Sequence, residues 1–427
     1  MESRSLLNGI MFMLHMRKMR NEKRRRKTLQ RRIRRRRCFT RAQSIERMHF
    51  VCMLSAAIII GLGCTVPPQV HLRERGAWSL PKSDHWWRVV VYQTFTEDDW
   101  MANFRMSKQT FNYLCQKLRP SIQKMDTRLR SAIGVEQRVA ITVWRLATNV
   151  EYRTIGQLFG VGTATVCKIV HQVCEAIRDT LAASMIRIPR GDAAADVVRE
   201  FEVKWGFPQC FGAIDGSHIP VQSPKEFRAD YYNRKGFYSI VLQGLVDHRY
   251  RFMNVNFGYP GSVHDARVFA NSSVFQLGND GELCPNIHRE INGVDVEPVI
   301  LGDSAYPLLP WLMKPFPDTG QLSREQRQYN YRQSRARMVV ENAFGRLKGR
   351  WRILLKRNDT HIAFLGNLVL ACVVLHNLCE SAGEDFDEQL LAGVDAVAGH
   401  GPAGHDDLVG GNAVDIRNAF MHHLTEA

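Results

Sequence analysis

The period of hydrophobic and polar positions changes part-way along the chain. From Asp84 to Arg190 apolar residues recur at spacings of three and four, the period of helices with one buried face. Ser107 stands as an N-cap ahead of the stripe Phe111, Leu114, Leu118, and Val135 to Thr148 predicts a further helix. TIGQLFGVGTATVCKIVHQV then reads as helix, tight turn, helix. Ile155 and Leu158 face inward, Gly160 permits the turn, Thr163 caps the second helix, and Val166, Ile169 and Val170 bury its inner side. This predicts an all-α region over 84–190 with a helix-turn-helix at 154–173. Thr165, Lys168 and His171 on its outer side are placed to enter a DNA major groove. A structural hairpin packed on a neighbouring domain would show the same pattern.

Beyond Gly191 the pattern becomes one of short apolar runs closed by turn residues. Cys210 to Ile214 predicts a strand that ends at Asp215, with Gly216 and Ser217 breaking the run. Phe237–Val246 and Arg251–Phe257 flank Asp247-His248-Arg249-Tyr250 as an antiparallel hairpin, and PVILGD reads as a buried strand ending at Asp303. MVVENAFGRLKGRW is helical, as is VLACVVLHNLCE, whose Cys372, His376 and Cys379 lack the paired spacing of a zinc site and read as core. Residues 191–380 are therefore predicted as an α/β domain. Residues 381–427, rich in Gly, Ala and acids, are predicted as an acidic flexible tail.

Composition adds the ends of the chain. With 427 residues, 45% of them hydrophobic and 23% charged, there is enough apolar chain for a large globular core. Sixteen Lys or Arg stand against two Glu in residues 1–41, so nearly all of the net charge of +16 is concentrated there. Such an arm is predicted to be disordered, and suits nuclear import and salt-sensitive contact with phosphates; an organelle leader or a cytoplasmic chain is the alternative. Phe50 to Val66 is an uncharged run, short of the ~20 residues that cross a bilayer, which favours an accessory or buried segment over a membrane anchor. Residues 1–83 as a whole are predicted to be largely disordered. The ten cysteines include no CxxC pair, as expected of reduced thiols.

The chemistry lies in four acids. A lone Asp-Gly such as Asp215-Gly216 is ordinarily turn chemistry. Here Asp303 repeats the strand-then-acid arrangement, Asp265 follows a Gly-rich turn in GSVHDARVF, and Glu341 lies inside a helix. Carboxylates on neighbouring strand ends, with another on a helix across them, suit two divalent cations placed for in-line displacement at phosphate. Mg²⁺ prefers that donor set, and Mn²⁺ accepts it. Tyr231, Tyr232, Arg234 and Lys235 form a basic and aromatic excursion suited to a nucleic-acid backbone. Lys348 and Arg350 follow Glu341 and are candidates for phosphate contact, and Arg337, one helical turn before Glu341, is placed for an ion pair with it.

The blocks GAIDGSHI, YYNRKGFYSIVLQGLVD, GYPGSVHDARVF, ILGDSAYPLLP and VVENAFGRLKGRWRIL, in that order, resemble those of the PIF/Harbinger transposases and the nucleases domesticated from them. The resemblance runs from about Trp86 to Glu380. It implies a DDE superfamily nuclease with an RNase H-like α/β core, acting on DNA. Asp215 and Asp303 would be the metal-binding aspartates, Glu341 the third acid of the triad, and Asp265 a further acid that some descriptions count as the second; strand order favours Asp303. A Myb-like companion protein is implied as partner, and the number of chains, a homo-oligomer included, stays open. The competing expectation is a domesticated DNA-binding or scaffolding protein that keeps the fold without cutting.

Overall fold

The computed structural model describes residues 83–126, 131–224, 227–284, 286–318, 320–394 and 411–426. The basic arm and the apolar run Phe50–Val66 lie outside the described residues.

Helices come first. α1 (Trp86–Thr94) is wound with π pitch, and α2 (Glu97–Phe104) opens on a capping box. In that box Thr96 Oγ1 accepts from the Asp99 N–H at 3.2 Å, and the Asp99 carboxylate accepts from the Thr96 N–H at 2.9 Å. Ser107 caps α3 (Lys108–Ile122), and the expected Phe111, Leu114, Leu118 stripe is fully buried. α4 spans Val135–Thr148 and ends at Asn149 in a left-handed conformation. α5 (Tyr152–Leu158) and α6 (Thr163–Met185) follow, joined by a turn in which Gly160 takes φ +64°. Two details differ from the sequence reading. The N-cap of α6 is Gly162, not Thr163, and Phe159 rather than Leu158 is the fully buried anchor. α7 (Asp192–Trp205) ends at left-handed Gly206.

The sheet is built from β1 (Cys210–Pro220), β2 (Ser239–Val246), β3 (Phe252–Pro260), β6 (Val299–Leu301) and β7 (Leu312–Met313), in the order β3-β2-β1-β6-β7. β1 to β3 are antiparallel, including the expected hairpin, while β6 and β7 run parallel to β1. The expected break at Gly216 does not occur. β1 pairs with β2 continuously from Ala213 to Pro220, so Asp215 is mid-strand. Only the partner on its other side runs out, because β6 pairs with β1 no further than Ala213–Leu301. Between β3 and β6 lie α8 (Asp265–Ala270), α9 (Ser273–Asn279) and the small hairpin β4 (Arg289–Ile291) with β5 (Val294–Val296).

Two layers bury the sheet. On one face, Phe211, Ile214 and Ile300 pack with Val198 of α7, Phe269 of α8 and Trp311. On the other, α10 (Arg324–Arg350) presents Val340, Phe344 and Leu347 to a core that runs without interruption into α3, α4 and α6. α11 (Ile362–Ser381) joins the two parts, packing on α6. It is the one helix among the described residues long and apolar enough to cross a membrane, yet 72% of that window is buried in the core. Cys372 and His376 are fully buried there, as a core helix requires.

The flexible-tail prediction is corrected over its described part. α12 (Ala413–Glu426) packs on α10 with Phe420 buried 5.1 Å from Phe207, and the Arg417 guanidinium lies 4.0 Å over Phe316. Its Ile416, Ala419, Phe420 and Leu424 keep helical spacing that an average over an acidic segment conceals. Before it, Glu384 accepts from the N–H and hydroxyl of Ser107 at the start of α3.

Candidate active site

The point where β6 leaves the side of β1 opens a cavity of about 280 Å³. All four acids singled out from sequence line it: Asp215 from β1, Asp265 from the first turn of α8, Asp303 just past β6, and Glu341 from α10. α10 crosses the sheet so that Arg337 and Glu341, one turn apart, face Asp215. Arg337 Nη2 is 2.6 Å from Glu341 Oε1, and Nη1 is 3.5 Å from Asp215 Oδ2.

Burial sets the electrostatics. Asp215 is 7% exposed, and its carboxyl is pushed up to about 8 by burial first and by the charge of Asp303 second. Arg337 and the Gly216 N–H, which donates to Asp215 Oδ1 at 2.7 Å, act against that rise. Asp265 is pushed up to about 6 by burial and again by Asp303, with Arg234 opposing. Asp303 thus acts on both neighbours; its own Oδ1 accepts from the Ala305 N–H at 3.0 Å.

The fit to divalent cations can be judged from this donor set. Among the described residues no three acids converge closely enough to enclose one ion, and Arg337 bridges two of the four. The donors are nonetheless of the right kind, hard oxygens crowded at one wall where burial disfavours their charge. Gly216 also makes room for one of them: a Cβ there would stand 2.2 Å from Asp265 Oδ1. The residues fit cations held by carboxylates together with substrate oxygens and water, not an all-protein cage.

The predicted basic residues divide. Lys235 and Lys348 line the cavity, and Lys348 Nζ donates to the His218 carbonyl at 2.9 Å. Arg234 lies within 2.8 Å of the His264 ring, beside Asp265. Arg350 is a correction. It is 1% exposed, donates to the Arg105 carbonyl at 3.0 Å and pairs with Glu380 at 3.2 Å, so it is structural and cannot meet a phosphate. Thr165, Lys168 and His171 lie on α6, away from the cavity lining. His171 is half-buried, its ring stacked on Phe364 of α11 with centroids 3.6 Å apart; Lys168 is exposed and Thr165 half-buried.

Three residues near the acids were missed from sequence. Tyr306 is buried, its hydroxyl pushed up by burial and by the charges of Asp265, Asp215 and Asp303. Gln243 of β2 donates to that hydroxyl at 3.0 Å, and its own Oε1 is buried without a partner. His218, on the cavity wall, is pushed down to about 4 by burial and by Lys348 and Lys235, and its Nδ1 is 3.0 Å from Ser239 Oγ. Each lies inside a sequence block that also carries an acid or a paired strand, so proximity in sequence was the available signal.

Comparison with known proteins places this geometry. A DDE superfamily endonuclease model matches residues 214–377, which contain all four acids, and a domain of unknown function (DUF8040) matches residues 88–179. The chain is 33% identical to the Arabidopsis thaliana protein named Antagonist of Like Heterochromatin Protein 1, over 71% of this chain and 77% of that protein. The chain belongs to the Harbinger transposase-derived DDE endonuclease family. Within that family it is 28% identical to human HARBI1, a nuclease by name, over 70% of this chain and 82% of the relative. A transposase by name, that of insertion sequence element IS702 from Microchaete diplosiphon, is 23% identical over 57% of this chain and 80% of its own length. No solved structure matches the chain significantly.

Proposed function

We propose that the chain is a metal-dependent DNA endonuclease that cuts or transfers strands by in-line displacement at phosphate. The observation that carries this reading is the convergence on one cavity of Asp215 and Asp303, each two residues past the last β1–β6 pair, with Asp265 and Glu341. The sheet order β3-β2-β1-β6-β7, with three antiparallel strands followed by two parallel ones, supports an RNase H-like core.

Asp215, Asp303 and Glu341 would hold two Mg²⁺ or Mn²⁺ ions, with Asp265 beside them. When bound, these ions supply an activated water or 3′-hydroxyl and stabilise the leaving oxygen. The chain's own part is positioning. Asp215 is fixed by strand pairing on one side and by the Gly216 N–H on its carboxylate. Lys348, held on the His218 carbonyl, and Lys235 set positive charge on the cavity wall where a phosphate would lie. No serine or cysteine nucleophile is required. The basic arm supports nuclear import, and a Myb-like companion protein is proposed as partner on family grounds.

The Arg337 bridge favours one second reading, a chain that binds DNA without cutting it. Plasmid and linear DNA incubated with the purified protein and Mg²⁺, Mn²⁺ or EDTA separates the two. Cation-dependent nicking supports the nuclease; binding without nicking under every cation supports the silent form.

A further inference from the structure

Arg337 holds a position unlike that of the other basic groups near the cavity. Lys348 is engaged with a backbone carbonyl, and Arg234 lies against His264. Arg337 makes ion pairs with two of the four acids, close to Glu341 at 2.6 Å and at longer range to Asp215 at 3.5 Å. These two belong to different elements, a helix and a strand, and they are the pair that must act together if cations are to be clamped between α10 and the sheet.

A monovalent guanidinium at that point neutralises part of a crowded set of carboxylates, which is what incoming cations would also do. The two cannot fully share the same oxygens. The short contact of the guanidinium is with a residue one turn away on its own helix, and its contact across to the strand is the longer one. Both side chains line the cavity and retain some solvent exposure, 14% for Arg337 and 25% for Glu341.

We propose that Arg337 is a built-in counter-cation of the acid cluster, exchanged off Asp215 and Glu341 when divalent cations bind. It stabilises the cation-free chain and competes with metal. This rests on the nuclease reading only in taking the acids to be the metal site.

The test is Mn²⁺ binding by the full chain, measured calorimetrically or from free Mn²⁺ in electron paramagnetic resonance, alongside melting temperature in EDTA and in Mn²⁺. Arg337→Gln is expected to bind Mn²⁺ about tenfold more tightly, in line with the one to three pK units that a neighbouring Arg exerts on a carboxylate. It should melt lower than the parent in EDTA, and Mn²⁺ should raise its melting temperature by more. Arg337→Lys, which keeps the charge, should bind Mn²⁺ nearly as the parent does. Unchanged or weaker Mn²⁺ binding by Arg337→Gln, with a folded protein, overturns the proposal. Should Arg337→Gln fail to fold, Arg337→Met and Arg337→Lys decide it: equal affinities in those two overturn it, and tighter binding by Met alone supports it. Asp215→Asn is the control for the underlying reading. If it binds Mn²⁺ as the parent does, the acid cluster is not the metal site; if it loses Mn²⁺ while Arg337→Gln is unchanged, only the role of Arg337 falls.

Discussion

Asp215 and Asp303 each come two residues past the Ala213–Leu301 pair that closes the contact of β1 with β6. Divergence of the two strands at that pair leaves both carboxylates on the wall of one cavity, where the charge of Asp303 raises both Asp215 and Asp265. Asp215→Asn, Asp303→Asn and Glu341→Gln are each expected to reduce cation-dependent DNA cutting by more than about 100-fold, beyond what loss of an outer-shell partner causes. The variants should stay folded, and in EDTA the two Asn variants should melt no lower than the parent, since each relieves repulsion within the acid cluster. An Asp303→Asn protein that cuts at the parental rate would move the second metal-binding role to Asp265.

Gly216 tests that fourth acid from the other side. A methyl group at this position would collide with the Asp265 carboxylate, at 2.2 Å from Oδ1, while β1 continues to pair with β2 on either side. Gly216→Ala should therefore displace Asp265 with little change in the fold. Circular dichroism and melting would confirm the fold, and cutting should fall about as far as in Asp265→Asn. Full activity in Gly216→Ala would show that the position of Asp265 does not matter to the reaction.

The acids were legible in sequence because the chemistry demands carboxylates at the ends or edges of apolar runs, and a set of four is hard to arrange by chance. α4 and the β2–β3 hairpin were legible because their apolar period and turn residues are local. What escaped depended on partners far away in sequence. Gly216 and Ser217 are turn formers alone, but β2 offers hydrogen bonds to Pro220 and the strand continues. Arg350 reads as a basic neighbour of Glu341, yet Glu380 and the Arg105 carbonyl draw it into the interior. His171 reads as a fully outward residue, yet α11 lays Phe364 over one face of its ring and leaves it half-buried.

His376 is expected to make stability depend on pH. It is fully buried on α11, with Nε2 donating to the Tyr250 carbonyl at 2.8 Å, and burial pushes it down to about 4, Arg350 adding and Glu380 opposing. The unfolded chain takes up a proton near 6.5 and the folded one does not. The stability from this group is thus fully present above about 6.5 and lost as pH falls towards 4, at up to about 1.4 kcal/mol per pH unit. His376→Gln keeps a donor for Tyr250 but cannot titrate. Urea unfolding at pH 7, 6 and 5 should show the gap between parent and variant narrowing as pH falls; parallel losses would assign the acid sensitivity to other groups.

The last prediction separates basic residues that meet DNA from those that hold the fold. Lys235 lines the cavity beside the acids, Lys168 is exposed on α6, and Arg350 is buried against Glu380. A lysine that contacts a phosphate releases counterions, so its replacement by Ala should weaken binding about equally for all sequences and lower the salt slope by roughly one. Lys235→Ala should do this in fluorescence anisotropy titrations across several salt concentrations, with an unchanged melting temperature. Lys168→Ala should do the same if the outer side of α6 lies on DNA, and leave affinity at the parental value at every salt concentration if α5 and α6 form a structural hairpin. Arg350→Met should show the opposite pattern, an unchanged salt slope with about 1–3 kcal/mol less stability, because it removes charge-assisted hydrogen bonds from the interior. A reduced salt slope in a well-folded Arg350→Met protein would contradict its burial against Glu380 and return it to the DNA-facing set.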